Sequence, residues 1–156
     1  MGEVLTAYPK PERKRMGKVK KVPRAVLFRR LKKLIHDKWS KIVRLRDTYC
    51  VLCGGSSGLN AHHWIVNAGR SLAARFCLGN GVTLCYACHI FKVHATAASV
   101  YIDQLKAYMV PRFISEEQYQ EIAALVSKTA DYTLEELQAL NDQFTDELNR
   151  CQKQGF

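Results

Sequence analysis

Cys50-Val51-Leu52-Cys53, then His62-His63, Asn80 and Cys85-Tyr86-Ala87-Cys88-His89 form the ordered run that decides the reading of this chain. Two Cys-x-x-Cys pairs can set four thiolates around one tetrahedral zinc ion. The insert between Cys53 and Cys85, residues 54–84, is longer than that of a compact zinc ribbon, so it has to be structured and has to bring the second pair back to the first. Gly54 and Gly55 follow the first pair and permit the positive φ of a tight thiolate knuckle. Two readings compete with metal: inert buried cysteines, and a redox pair. The redox reading lacks the βαβ pattern that surrounds a thioredoxin-like motif.

Outward from the cysteines, Leu59 to Val66 reads as a short strand carrying both histidines, and Val82-Thr83-Leu84 as a second strand. Residues 67–79 read as a connection bearing Arg70 and Arg75, and Cys85 to His94 as a helix, which completes a β-β-α unit. Ala98, Tyr101, Leu105 and Tyr108 are packing candidates ahead of Pro111. Neighbouring side chains on a strand diverge, so His62 and His63 are unsuited to ligate one ion together. One can hold a metal while the other stays free as a base. A neutral imidazole takes a proton from water near neutral pH, and a divalent ion offsets charge on a scissile phosphate. The competing readings are that one or both histidines are structural, or that His89 replaces a cysteine in the zinc shell.

These residues resemble the His-Asn-His (HNH) endonucleases of the zinc-stapled ββα-metal type, over roughly Asp47 to His94. Asn80 lies five residues before the third paired cysteine, and His89 directly follows the fourth. The resemblance implies a small ββα-metal core, with His62 and His89 as ligands of a catalytic divalent ion and His63 as the general base. It implies that Asn80 bridges the loop and helps to hold the base in orientation. His94 is a candidate third ligand, with a surface histidine as the competing reading. Many members of the family carry Asp where His62 stands. Mg²⁺ or Mn²⁺ is the first expectation for the catalytic ion, while histidine ligands also suit Zn²⁺ or Ni²⁺. A looser likeness, from Trp39 to Asp47, the approach from Arg75-Phe76 to Asn80, and Tyr101 to Tyr108, is similar to phage recombination nucleases of the Rap type, which act on branched DNA.

Charge is distributed unevenly over the 156 residues. Residues 1–46 hold 16 of the 24 Lys and Arg against three acids, a net of +13, while the remainder nets −3. Such a footprint fits a polyanion binder, because each phosphate contact releases condensed counterions. A solubilising tail is the bland alternative. Residues 1–24 read as a flexible basic arm with three prolines. Residues 25–46 read as a basic amphipathic helix: Leu27, Leu31, Leu34, Ile35, Trp39, Ile42 and Leu45 form its apolar face, and Arg29, Arg30, Lys33, Lys41 and Arg44 are candidates for phosphate contact with Arg70 and Arg75. A membrane-surface helix is a third reading of this segment, disfavoured by the metal motif.

Residues 47–110 are thus expected to form the nuclease core, and residues 111–156 a C-terminal helical pair. Ser115 with Gln118 and Thr133 with Glu136 have capping-box spacing. Tyr119, Ile122, Leu125 and Val126, then Leu137, Leu140, Phe144 and Leu148, give the two helices apolar stripes for core or for a homodimer. Cys77 and Cys151 stand outside the pairs and read as ordinary buried thiols. No apolar leader follows Met1 and no run reaches transmembrane length, so the expectation is a cytoplasmic protein of a bacterial or phage-infected cell, without membrane association.

The whole reads as an α+β protein that hydrolyses DNA phosphodiester bonds with a structural zinc ion and a catalytic divalent ion, guided by DNA structure or only weakly by sequence. Two alternatives stand beside it: a non-enzymatic zinc-binding DNA module, and a partner protein that assembles through its C-terminal helices.

Overall fold

The computed structural model of the chain describes residues 22–94, 98–128 and 131–153. Most of the expected basic arm lies outside these residues. What is described is an α+β arrangement: one two-stranded antiparallel sheet with helices on both sides. No helix among the described residues is long and apolar enough to cross a membrane.

Helix α1 spans Arg24–Asp47 and turns its apolar stripe inward, burying Ile35, Trp39, Ile42 and Val43. Leu34, counted on that stripe from the sequence, is instead 49% exposed. The helix stops at Thr48, whose backbone turns left-handed with φ 61°. A β-branched residue rarely adopts that conformation, so it is held from outside. The holding groups are next to it. Arg46 reaches Asp47 Oδ1 at 2.7 Å, and its guanidinium also donates to the carbonyls of Leu78 (3.1 Å) and Gly81 (2.7 Å). The Asp47 carboxylate, fully buried, accepts from the Thr83 amide at 2.7 Å. This node fastens the end of α1 to the outer edge of the sheet.

Strands β1 (Leu59–His63) and β2 (Gly81–Cys85) pair with His63 opposite Gly81 and His62 opposite Val82. Side chains alternate between faces, which sends Ala61, His63, Gly81 and Thr83 toward α1, and His62, Val82 and Leu84 the other way. The outward backbone groups of Thr83 are taken by Asp47 and by the Val51 amide, so this edge of the sheet is capped. The first strand ends three residues before the Val66 expected from sequence. Beyond His63, the Asn80 side chain takes the backbone groups that a strand partner would have taken.

The connection over residues 67–79 carries structure of its own: helix α2 (Leu72–Arg75), capped by the Ser71 hydroxyl, and a 3-10 turn over Leu78–Asn80. After β2, a single α-helical turn, α3 (Tyr86–Cys88), widens into a π turn over His89–Val93. A continuous helix to His94 was expected. Helix α4 then spans Ala98–Met109.

Both capping boxes form. Gln118 and Ser115 exchange bonds at the start of α5 (Glu116–Ala124), and Glu136 and Thr133 do so at the start of α6 (Leu134–Lys153). The buried residues of the two helices join different cores. Ile122 of α5 packs with Trp64, Val82, Leu84, Leu105 and Met109, whereas Leu137, Phe144 and Cys151 of α6 lie along α1 against Ile35, Trp39 and Val43. Val126, assigned to the α5 stripe, is 49% exposed. Lys38 of α1 secures the second contact by donating to Asn141 Oδ1 (2.7 Å) and Thr145 Oγ1 (2.6 Å). The sheet thus sits between two cores and is held from both sides.

Candidate functional site

The cysteine pairs meet at the base of the sheet. The ligand atoms of Cys50, Cys53, Cys85 and Cys88 all lie within 4.8 Å of one another. In the first knuckle the Cys50 amide bonds the Gly55 carbonyl at 2.8 Å, and the Gly54 amide bonds the Cys50 carbonyl at 2.7 Å, with Gly54 at φ 74°. In the second knuckle the Cys88 amide donates to Cys85 Sγ. That donor holds the Cys85 thiol down at about 7, while burial first, and then the neighbouring sulfurs, push Cys88 up to about 12. Four sulfurs gathered in this way could hold a metal ion. Zinc fits the spacing: with Zn–S bonds of about 2.3 Å, a tetrahedron has sulfur edges of about 3.8 Å, and Cys53 Sγ stands 3.7 Å from Cys85 Sγ.

His62, His89 and His94 form a second cluster, again with ligand atoms within 4.8 Å. His94, a candidate from the sequence, belongs to it. In an α-helix, residues five apart point in different directions, and the wider π turn brings the fifth residue back over the first. This winding puts His94 Nε2 3.3 Å from His89 Nε2. Nitrogen ligands at about 2.0–2.1 Å from a tetrahedral ion stand about 3.3 Å apart. The cluster contains three imidazoles and no carboxylate among the described residues. Burial, followed by the nearby His89, His94 and His63, drives the His62 pKa down to about 3, so the ring is uncharged near neutral pH and keeps one nitrogen lone pair free.

His63 turns from the opposite face of the strand, as alternation requires. Its Nε2 lies 2.9 Å from the Arg75 carbonyl. A carbonyl can only accept, so Nε2 carries the proton and Nδ1 is left as the free basic atom. Burial lowers the pKa of this imidazole; the Arg75 carbonyl opposes the shift, and the charges of His36 and Arg75 add to it. His62, His63, His89 and His94 share the rim of one pocket of about 160 Å³ with Asn67 and Ala68.

Asn80 makes no side-chain hydrogen bond to His63. Fully buried, its side-chain oxygen accepts from the amides of Ile65 (2.9 Å) and Val66 (3.0 Å), and its nitrogen donates to the carbonyls of Val66 (2.8 Å) and Ala74 (3.0 Å). It therefore ties residues 65 and 66 to Ala74, next to the Arg75 carbonyl that meets His63.

Of the candidate phosphate contacts, Arg29, Arg30, Lys33 and Lys41 are exposed on α1, and Arg70 is exposed on the loop. Lys33 is paired with Asp37 at 2.6 Å. Arg44 is half-buried against the Ser40 hydroxyl. Arg75 is the one drawn to the histidines: its Nε is buried with no hydrogen-bond partner among the described residues, and its charge lowers the pKa of both His36 and His63.

Sequence reasoning missed His36 and the site role of Trp39, which was read only as packing. The Trp39 ring stacks on His63 at 4.0 Å between centroids, and His36 lies 5.7 Å from His63. All five histidines of the chain thus converge here. The signal that was available was the spacing of His36 and Trp39, one helical turn apart on a single face.

Compared with models of known protein families, with curated proteins and with solved structures, the chain returns no match.

Proposed function

We propose that this chain is a metal-dependent endonuclease of the HNH ββα-metal type that hydrolyses DNA phosphodiester bonds. One observation carries the reading: a three-imidazole cluster and a separate imidazole with a free Nδ1 share a single pocket. The two halves of phosphodiester hydrolysis are thereby divided between opposite faces of one strand. The all-nitrogen donor set favours Zn²⁺ or Ni²⁺ over the oxygen-seeking Mg²⁺ or Mn²⁺ expected first. Bound there, such an ion supplies charge neutralisation at the phosphate and at the departing oxygen.

The remaining steps belong to the chain. Nδ1 of His63 takes a proton from water as its oxygen bonds to phosphorus, and the opposite P–O bond breaks with its electron pair leaving on the sugar oxygen. The lowered pKa of His63 favours the neutral ring, protonated at Nε2 alone, for that step. Arg75, whose charge acts on both His36 and His63, is the guanidinium offered to a phosphate oxygen. Arg29, Arg30 and Lys41 on α1 hold the backbone without reading bases, which favours guidance by DNA structure or weak sequence preference. A structural zinc ion at the four cysteines would staple the sheet beneath the site.

The test is cleavage of labelled single-stranded, duplex, nicked, flap and four-way-junction DNA with Zn²⁺, Ni²⁺, Mn²⁺, Mg²⁺ or EDTA, comparing the parent with zinc-loaded, folded His63→Ala. Metal-dependent cutting abolished in the variant supports the reading. Binding without cutting under every condition leaves a zinc-stapled DNA-binding module in its place.

A further inference from the structure

We propose that Trp39 is a positioning residue for His63: its indole face and the Arg75 carbonyl together fix the plane of the imidazole and the direction in which Nδ1 points. The inference rests on the endonuclease reading of the same site. A carbonyl bond restrains one atom of the ring and leaves the ring free to swing about it. The terminal torsion of histidine is broad and imposes no plane of its own. A flat surface against the ring supplies the missing restraint.

Such a surface is built here from long range. The Trp39 and His63 rings are parallel to within 6° at a centroid separation of 4.0 Å. Trp39 is fully buried, and its Nε1 donates to the Cys77 carbonyl at 2.9 Å, so the indole itself cannot turn. His36, one turn earlier on α1, continues the stack at 19° to His63. Directly opposite His63 in the sheet stands Gly81. A Cβ added there would come 2.7 Å from Trp39 Cζ2 and 2.5 Å from Val43 Cγ2. The missing side chain at Gly81 is what lets the indole lie against the imidazole.

The experiment compares the zinc-loaded full chain with Trp39→Leu and Trp39→Phe, measuring kcat and KM on whichever DNA the parent cuts, together with the His63 ring-proton shifts by NMR. The leucine variant is expected to lose about tenfold to a hundredfold in kcat, a part of the ~10²–10⁴-fold that general-base catalysis contributes, with KM and metal dependence unchanged. Trp39→Phe, which keeps a flat ring, is expected to recover most of the loss. In the parent, the indole ring current should move the His63 ring protons upfield, and the leucine variant should return them. A leucine variant as fast as a cutting parent overturns this role and leaves the endonuclease reading intact. A parent that cuts no substrate overturns both. If Trp39→Leu does not fold, a parent spectrum without the upfield shift overturns the proposal, and its presence with near-parental kcat in Trp39→Phe supports it.

Discussion

Replacing Asn80 by alanine removes one side chain and four hydrogen bonds. The amides of Ile65 and Val66 and the carbonyls of Val66 and Ala74 lose their partner, in a place where Asn80 itself is fully buried. Each buried group left unsatisfied costs about 1–3 kcal/mol, and water entering the vacated space recovers part of that. At the low end of about 1 kcal/mol each, the four amount to about 4 kcal/mol, against a total of roughly 5–15 kcal/mol for a typical domain. At roughly 2–4 °C per kcal/mol for a chain of this size, the melting temperature should fall by about 8–16 °C. Urea unfolding and thermal melts under saturating zinc give both numbers. Asn80→Asp is the companion variant: it keeps the acceptor for the two amides but sets a carboxylate against two carbonyls. Its loss at neutral pH should match or exceed that of alanine, and should shrink as acid restores a donating hydroxyl. A loss below about 1 kcal/mol for Asn80→Ala would refute the view that this amide replaces a strand partner.

Three further outcomes follow from other parts of the fold. Asp47→Ala breaks a buried ion pair and orphans the Thr83 amide, so denaturant unfolding should show a loss of about 3 kcal/mol or more. Gly81→Ala forces a methyl into Val43 and Trp39; at a φ of −101° the backbone accepts alanine, so the cost is steric, about 1–3 kcal/mol by the same measurement. His62 has its folded pKa depressed from 6.5 to about 3, so between those values the unfolded chain binds the proton and the folded one does not. Its contribution is therefore present above pH 6.5 and is lost as pH falls, by up to about 1.4 kcal/mol per unit. Stability measured from pH 7 to 5 without the second metal should fall more steeply in the parent than in His62→Gln, and parallel slopes would contradict the assignment.

Much of the candidate site's geometry was legible in the chain because local rules govern it. Strand alternation separates His62 from His63, a two-residue gap lets paired thiolates face one ion, and a Ser or Thr three residues before Gln or Glu closes a helix start. Where those rules ran out, the reading erred. The sequence reads as a strand on to Val66, whereas a side chain 14 residues away takes over the Val66 backbone. Leu34 and Val126 fit apolar stripes by spacing, but each stays 49% exposed.

The sequence by itself determined the α+β class, the cysteine knuckles with their glycine turn, the strand bearing two divergent histidines, and the two capped C-terminal helices. Each depends on residues within a few positions of one another. Only the tertiary structure decided that His36 and Trp39 of α1 stand against His63, that Arg46 and Asp47 lock onto the edge of the sheet, and that α5 and α6 serve separate cores. Those contacts join groups tens of residues apart. They depend on which faces meet, which neither periodicity nor spacing along the chain encodes. The π turn that returns His94 to His89 is a local departure from helical geometry that shows only once the chain is folded.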